Sequence, residues 1–419
     1  MTEGYFIPGN ILVPDKQDMK LWSVIACDQF TSQPDYWNKV EKAVGNAPST
    51  LKLMLPELYL KDGNIDQSAA KIRSAMEDYL SRGIFRELED SYIYVERTLS
   101  KGGLRRGLLG LLDLEAYDYN PDSVSPIRAT EGMVPDRLPP RIKVREDAPL
   151  ELPHVVVFID DPDRTVIKPL GSMKDKLEKL YDFELMEGGG SVEGYRVTGP
   201  AAETVRLGLN RLASPEVIEK KYGNNKNPVI YAVGDGNHSL ASAKKCWEKL
   251  REGLSDEERQ THPARWTMVE LVNVHEEAII FEPINRVIFN TNPENFLEEA
   301  EEFFARYGNG GHELTCITAK GKLNYYTDGL TIGQSIAACD EFIEGWVARH
   351  GGSIDYIHGD DTTAELGSGA GCAGIIMPRM KKNELFPSII ESGAFPKKSF
   401  SIGPARDKRY YLECRKISM

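Results

Sequence analysis

Five apolar residues, Val229 to Val233, stand between Pro228 and Gly234, and directly after them the apolar positions change period. Leu240, Ala243, Trp247 and Leu250 then recur at steps of three and four. The first pattern is that of a short buried strand and the second that of an amphipathic helix. The junction reads Gly234-Asp235-Gly236-Asn237-His238-Ser239. The same reading predicts strands over 22–30, 92–99, 155–160, 268–274 and 278–289, and helices over 66–82, 174–181, 201–212, 294–307 and 332–350. Ser32 is a candidate cap for a helix with Pro34 in its first turn. The alternation in Arg141-Ile142-Lys143-Val144-Arg145 predicts a half-exposed strand with its three cations on one face. Strands and helices alternate along the chain, so the expected fold class is mixed α/β.

Length and punctuation suggest how these elements are divided. A chain of 419 residues is expected to form two or three domains, or one large core with insertions. Prolines crowd residues 121–140, and Asn292-Pro293 interrupts the pattern. The expected organisation is a core over 1–290, an inserted Arg-rich subdomain at about 85–200, and a C-terminal α/β lobe over 291–419.

Charge narrows the partners. With 51 basic and 64 acidic side chains the net charge is −13, a surface that repels nucleic acid and anionic membranes. An anionic small molecule must therefore be met by a local basic patch. The longest aliphatic run, residues 155–159, is far too short to span a bilayer. The start Met1-Thr2-Glu3-Gly4 lacks the basic and apolar regions of a secretory leader. Six scattered cysteines without a CxxC pair read as reduced thiols and argue against structural zinc. A cytoplasmic location is expected, and self-association into a homo-oligomer stays open.

The strand-to-helix junction carries the most chemistry. A helix start offers unpaired N–H groups and the positive end of the helix dipole, which together attract anions. Gly234 and Gly236 permit a tight turn and close approach of a ligand. Asn237 is a good helix cap, His238 and Ser239 fall in the first turn, and Asp235 is placed to hold a metal ion or orient a donor. A capped turn without a ligand has the same composition. The segment is neither a Walker A loop nor a GxGxxG fingerprint.

Gly-Asp-Gly-Asn-His-Ser-Leu-Ala-Ser-Ala-Lys resembles the Asp-Gly-His-His-Arg box of a large bacterial and archaeal family catalogued as a domain of unknown function, DUF 1015. Residues 22–32, 127–148, 282–289 and 395–417 fit the same family. That family is distantly similar to the ParB/sulfiredoxin superfamily, whose members seat a nucleotide's phosphates on a Gly-x-His-Arg or Gly-Glu-Arg-Arg box opening a helix. Kinases acting on free serine belong to the same superfamily. The resemblance implies a ParB/sulfiredoxin-like core and a nucleotide or phosphate at Gly234, Gly236, Asn237 and Ser239. Two positions depart from the pattern. Ser239 stands where the box has Arg, and Asn285 stands where a His precedes the Arg of a Pro-x-His-Arg motif. Arg286, or a basic residue from elsewhere, must then supply the missing charge.

Other groups are candidates for the same ligand. Arg128, Glu131 and Arg137 lie just upstream of Arg141, and clustered cations of this kind usually meet carboxylates or phosphates; a solvated strand edge is the alternative. Lys397-Lys398-Ser399-Phe400 is placed to close over a ligand, or is an ordinary charged tail. Asp28, at the end of a predicted strand, is a candidate general base or Mg²⁺ ligand, or merely a turn cap. His358-Gly359-Asp360-Asp361 has the composition of a metal corner or of a polar turn. His154 reads as structural. Three functions follow: a phosphotransferase using ATP or another nucleotide, with Mg²⁺, on a small hydroxylated metabolite such as serine; a hydrolase of a small phosphoester such as phosphoserine; and a nucleotide-binding switch without catalysis. Asp28, Glu131, Asp235 and His238 are the expected catalytic groups.

Overall fold

The computed structural model describes residues 4–62, 64–224 and 227–419. Met1, Thr2 and Glu3, from which the absence of a leader was read, lie outside them. Strands and helices mix along the whole chain, and two sheets carry the architecture.

The larger sheet has eleven strands. At its centre Phe85–Thr98 and Leu104–Asp113 form an antiparallel hairpin turned at Gly102 and Gly103, both with positive φ. Leu104–Asp113 pairs antiparallel with Trp266–Asn273, which runs parallel to Val156–Ile159. Tyr231–Asp235 pairs antiparallel with Val156–Ile159 and parallel with Ile127–Ala129. These are near-continuous apolar segments, as strands covered on both faces require, and every residue of Trp266–Asn273 is buried. The second sheet is built around Phe281–Phe289, flanked by Ser353–His358 and Ala373–Ile376, with His312–Thr318 and Gly321–Thr327 beyond. Residues 85–200 supply central strands of the large sheet, and Phe281–Phe289 is central to the second.

Several local expectations need correction. Residues 141–145 are not a strand. Leu138–Arg145 is a helix with proline in its first turn, where a missing N–H costs nothing and the fixed φ favours the helix. Its cations therefore fan outward instead of sharing a face. Arg141 pairs with Glu57, Lys143 with Asp66 and Glu146, and Arg145 with Glu151. The predicted helix at 174–181 is one turn, Lys174–Lys176, followed by the strand Glu178–Glu184, which Gly188 and Gly190 return onto Ser191–Val197. Residues 22–30 hold the end of a helical turn at Trp22, a short extended stretch with a single bridge, Ile25 to Tyr410, and a turn over 27–30. Ser32 caps nothing: the helix Pro34–Val44 starts after Gln33.

The last 25 residues form a strap across the large sheet. Phe395 bridges to Glu131, Tyr410 to Ile25, and Cys414 to Leu12. Buried ion pairs fasten it. Arg409 lies 2.9 Å from Glu270 and 2.8 Å from Glu413, and Arg415 lies 3.0 Å from Glu151. Gly107 leaves the space that the Glu270 carboxylate occupies, since a Cβ there would collide with it. No helix among the described residues is long and apolar enough to cross a membrane.

Candidate active site

The strand Tyr231–Asp235 delivers its chain into the helix Asn237–Arg251 through Gly236, which is left-handed at φ 78° and is itself the N-cap. Asn237, expected to cap, is instead the first helical residue. The αL turn is what demands glycine, and side-chain capping is lost as a consequence. A Cβ on Gly236 would lie 3.1 Å from the Val155 Cα and 3.4 Å from the His154 ring. Gly236→Ala is expected to cost about 1–2 kcal/mol from the αL conformation alone, read as a lower urea midpoint, and to push the helix start out of place.

That helix start opens into a cleft of about 560 Å³ lined by Asp28, Glu131, Gly132, Arg137, Arg141 and the run from Asp235 to Ser239. As the first helical residues, Asn237 and His238 have no intrahelical acceptor for their amides. The Oδ1 of Asn237 is buried without a hydrogen bond, a polar atom that a ligand donor would satisfy. Thr130 fixes the strand by donating to the Val233 carbonyl.

The charges in the cleft are of both signs. Asp235 accepts from the Gly236 N–H at 3.1 Å and pairs with Lys408 of the strap at 3.1 Å. Burial pushes the Glu131 carboxyl up to about 7; the neighbouring Asp235 adds to this, while the Ser399 and Phe400 amides and Lys408 oppose it. Burial would also raise Asp28, but His154, the Gln29 amide, Lys408 and Arg141 outweigh it and hold Asp28 below the ordinary range. Burial, with Arg141 and Arg137 nearby, lowers His238 to about 4. His238 is thus neutral at physiological pH. Its Nε2 accepts from the Val134 N–H at 3.2 Å, which leaves Nδ1–H as a donor.

A second, more apolar chamber of about 900 Å³ adjoins the cleft, with Leu53, Met54, Met76, Val144, Leu150 and Met268 in its walls. Arg141 and Ser239 line both spaces. Glu57, the partner of Arg141, is buried to the same degree as the arginine.

Three expected site residues lie elsewhere. Arg128 donates to the carbonyls of Ser125 and Asn227 and secures its own loop. Arg286 is buried on the central strand of the second sheet, donating to Asp340 at 2.9 Å and to the carbonyls of Ile284 and Lys398. Lys398 has its ammonium 3.9 Å from the centre of the Tyr356 ring. Each is absorbed by backbone or ring partners that no sequence spacing announces. The cations at the cleft are Arg137 and Arg141 in its lining and Lys408 beside Asp235. Sequence reasoning did not single out Lys408 or Tyr411, and it read His154 as structural. Lys408 lay inside a run of tail cations, and Tyr411 carried no pattern at all. At the 358–361 corner, Asp360 is bonded to Asn285 and Arg379. No group of three or more His, Cys, Asp or Glu suited to a metal ion occurs among the described residues. Mg²⁺, if used, would be held through Asp28 or Asp235 together with ligand phosphates, as Mg²⁺ commonly is.

The family is settled by a match over most of the sequence. A model described as a protein of unknown function, DUF1015, matches residues 7–343, and the chain belongs to that family. No curated protein sequence matches it. Among solved structures, C-terminally truncated SbnI from Staphylococcus aureus is similar at 11% identity and a TM-score of 0.37, over 70% of this chain and 82% of that one. A free serine kinase in complex with AMP is similar at 9% identity and 0.34, over 74% and 90%. A conserved hypothetical protein from Pyrococcus furiosus is similar at 10% identity and 0.32, over 74% and 94%.

Proposed function

We propose that the cleft binds a nucleotide through its phosphates and transfers a phosphoryl group to a small hydroxylated metabolite such as free serine. The observation that carries this reading is the convergence on one cleft of a helix start, two guanidinium groups and a carboxyl with its pKa near 7. Phosphoryl transfer needs an anion cradle, positive charge around the moving group and one carboxylate to orient the attacking oxygen. The amides of Asn237 and His238, with Arg137 and Arg141, serve as the cradle. Glu131 takes the proton of the acceptor hydroxyl. Asp28, held ionised, orients the acceptor or shares a Mg²⁺ ion with the phosphates; that ion would neutralise charge on the phosphate oxygens. The nucleotide and the serine-like acceptor are supported by the resemblance of the Asp235–Ser239 segment to the superfamily's phosphate box. The apolar chamber beside Arg141 would take the base of the nucleotide.

Incubation with ATP or ADP and a panel of hydroxylated amino acids, followed by phosphorus NMR, tests the reading. The expected result is a phosphomonoester whose formation needs both nucleotide and acceptor. Failure to form one across the panel sinks the kinase. Phosphate release from phosphoserine without nucleotide would turn the same residues into a hydrolase, and nucleotide binding without turnover would leave a switch. Arg137 is exposed, so Arg137→Ala should leave the unfolding midpoint unchanged. Loss of one charge-assisted hydrogen bond is worth about 1.5–3 kcal/mol. Calorimetry should therefore show nucleotide affinity reduced roughly 10–100-fold.

A further inference from the structure

Ser239 is the third residue of the site helix, yet its hydroxyl is turned to the side, 3.0 Å from the Nε2 of His154. His154 comes from a different part of the chain, just before the strand Val156–Ile159. Its other ring nitrogen, Nδ1, is 2.9 Å from the hydroxyl of Tyr411 on the strap, and Tyr411 in turn accepts from the Cys27 N–H at 3.4 Å. The Tyr411 ring meets the imidazole edge-on, at 5.4 Å between centres. Three segments remote in sequence therefore hold a hydroxyl, an imidazole and a group that orients the imidazole. This is the general arrangement of an activated nucleophile: hydroxyl and base within hydrogen-bond reach, the base fixed by a third group. Ser239 lines both the polar cleft and the apolar chamber.

We propose that Ser239 is a nucleophile, that His154 is its base with Tyr411 as positioning residue, and that the phosphoryl group passes through a phosphoserine at position 239. The inference rests on the phosphotransferase reading for its donor. In the first half-reaction the Ser239 Oγ attacks the terminal phosphorus of ATP. The Oγ–P bond forms as the P–O bond to the departing ADP breaks, and the hydroxyl proton passes to His154 Nε2. In the second half, the acceptor hydroxyl attacks that phosphorus and gives its proton to Glu131. The bond to Ser239 breaks, and His154 returns its proton to Oγ. Burial keeps His154 below its ordinary pKa, with Arg141 and Arg409 acting in the same direction and Asp28 and Asp235 opposing. The imidazole is accordingly free to accept a proton, and the two carboxylates stabilise the cation that results.

The experiment uses the intact chain in two arms, with nucleotide binding measured separately by calorimetry. With ATP labelled on its terminal phosphate and no acceptor, the expected outcome is a burst of about one equivalent of ADP and an acid-stable phosphoserine mapped to position 239 by mass spectrometry. Ser239→Ala should still bind nucleotide but show neither. Tyr411→Phe, which keeps the ring, should slow the burst about 10-fold or more. With a fluorophosphonate probe and no nucleotide, the expected outcome is an adduct on Ser239. The adduct without nucleotide binding would support the nucleophile while removing the kinase reading. Nucleotide bound with neither phosphoserine nor adduct at Ser239 overturns the inference and leaves direct transfer in place.

Discussion

Glu131→Gln is expected to lower turnover about 10²–10⁴-fold, the range over which a positioned general base contributes, and to abolish the pH dependence of the reaction around neutrality. In the parent protein the base must be ionised. Its carboxyl has been pushed up to about 7, chiefly by burial, so the rate should fall tenfold per unit below pH 7 and level off above it. Glutamine keeps the shape and can still accept the Ser399 or Phe400 amide, but it takes no proton, so the residual rate should be flat from pH 5 to 8. Stability should move the other way. Because the folded-state pKa lies above the ordinary value of 4.5, the stability linked to the protonated carboxyl is fully present below pH 4.5. It is lost as pH rises through about 7. The variant, always neutral, should match the parent near pH 4 and exceed it by roughly 1–3 kcal/mol at pH 8. Urea unfolding at the two pH values checks this. A variant that is no more stable at pH 8, with activity still rising through pH 7, would assign both the raised carboxyl and the base to another residue.

Opposite signs in activity and stability are what a carboxyl held for chemistry should give. The strap places it there: Phe395 pairs beside Glu131, Ser399 and Phe400 present their amides to it, and Lys408 meets Asp235. All of these strap residues lie beyond residue 343, where the family match ends.

How much of this could be read from the chain alone differs from element to element. The junction at Gly234–Ser239 was legible because a continuous apolar run gives way to apolar steps of three and four across two glycines. That transition is local, and backbone geometry follows from it directly. The helix Ile332–His350 was legible for the same reason. Arg141 was found with the wrong backbone. Alternating apolar and cationic residues satisfy a strand pattern over five positions, and only the preceding Pro139 and Pro140 pointed to a helix start. The change matters, because a strand would have aimed Arg141, Lys143 and Arg145 at one target, whereas the helix sends only Arg141 to the cleft. Arg286 had motif context but is neutralised by Asp340, a partner 54 residues away that no spacing rule connects. His154, Tyr411 and Lys408 were out of reach because their roles exist only once the strap has crossed the sheet. Their contacts span from 85 to 257 residues for His154 alone.

The fastening of that strap supplies the largest expected stability effect. Arg409→Leu removes the only strap cation lying between Glu270 and Glu413, both of which are almost fully buried. Arg105 remains 3.7 Å from Glu270, and Tyr181 still donates to Glu413, but neither replaces a guanidinium bridging two carboxylates. Breaking a buried pair by deleting one partner typically costs 3–5 kcal/mol, because the remaining charge is left without compensation. The expected result is a large drop in the urea midpoint at pH 7. Lys408 and Tyr411 flank the substituted residue, so strap and site should fail together. Nucleotide affinity should fall even at temperatures where the rest of the chain stays folded, and limited proteolysis should cut first within residues 395–419. Equal loss of all elements, with the strap protected until global unfolding, would mean that the buried charges stabilise the sheet as a whole and that the site depends on the strap only through it.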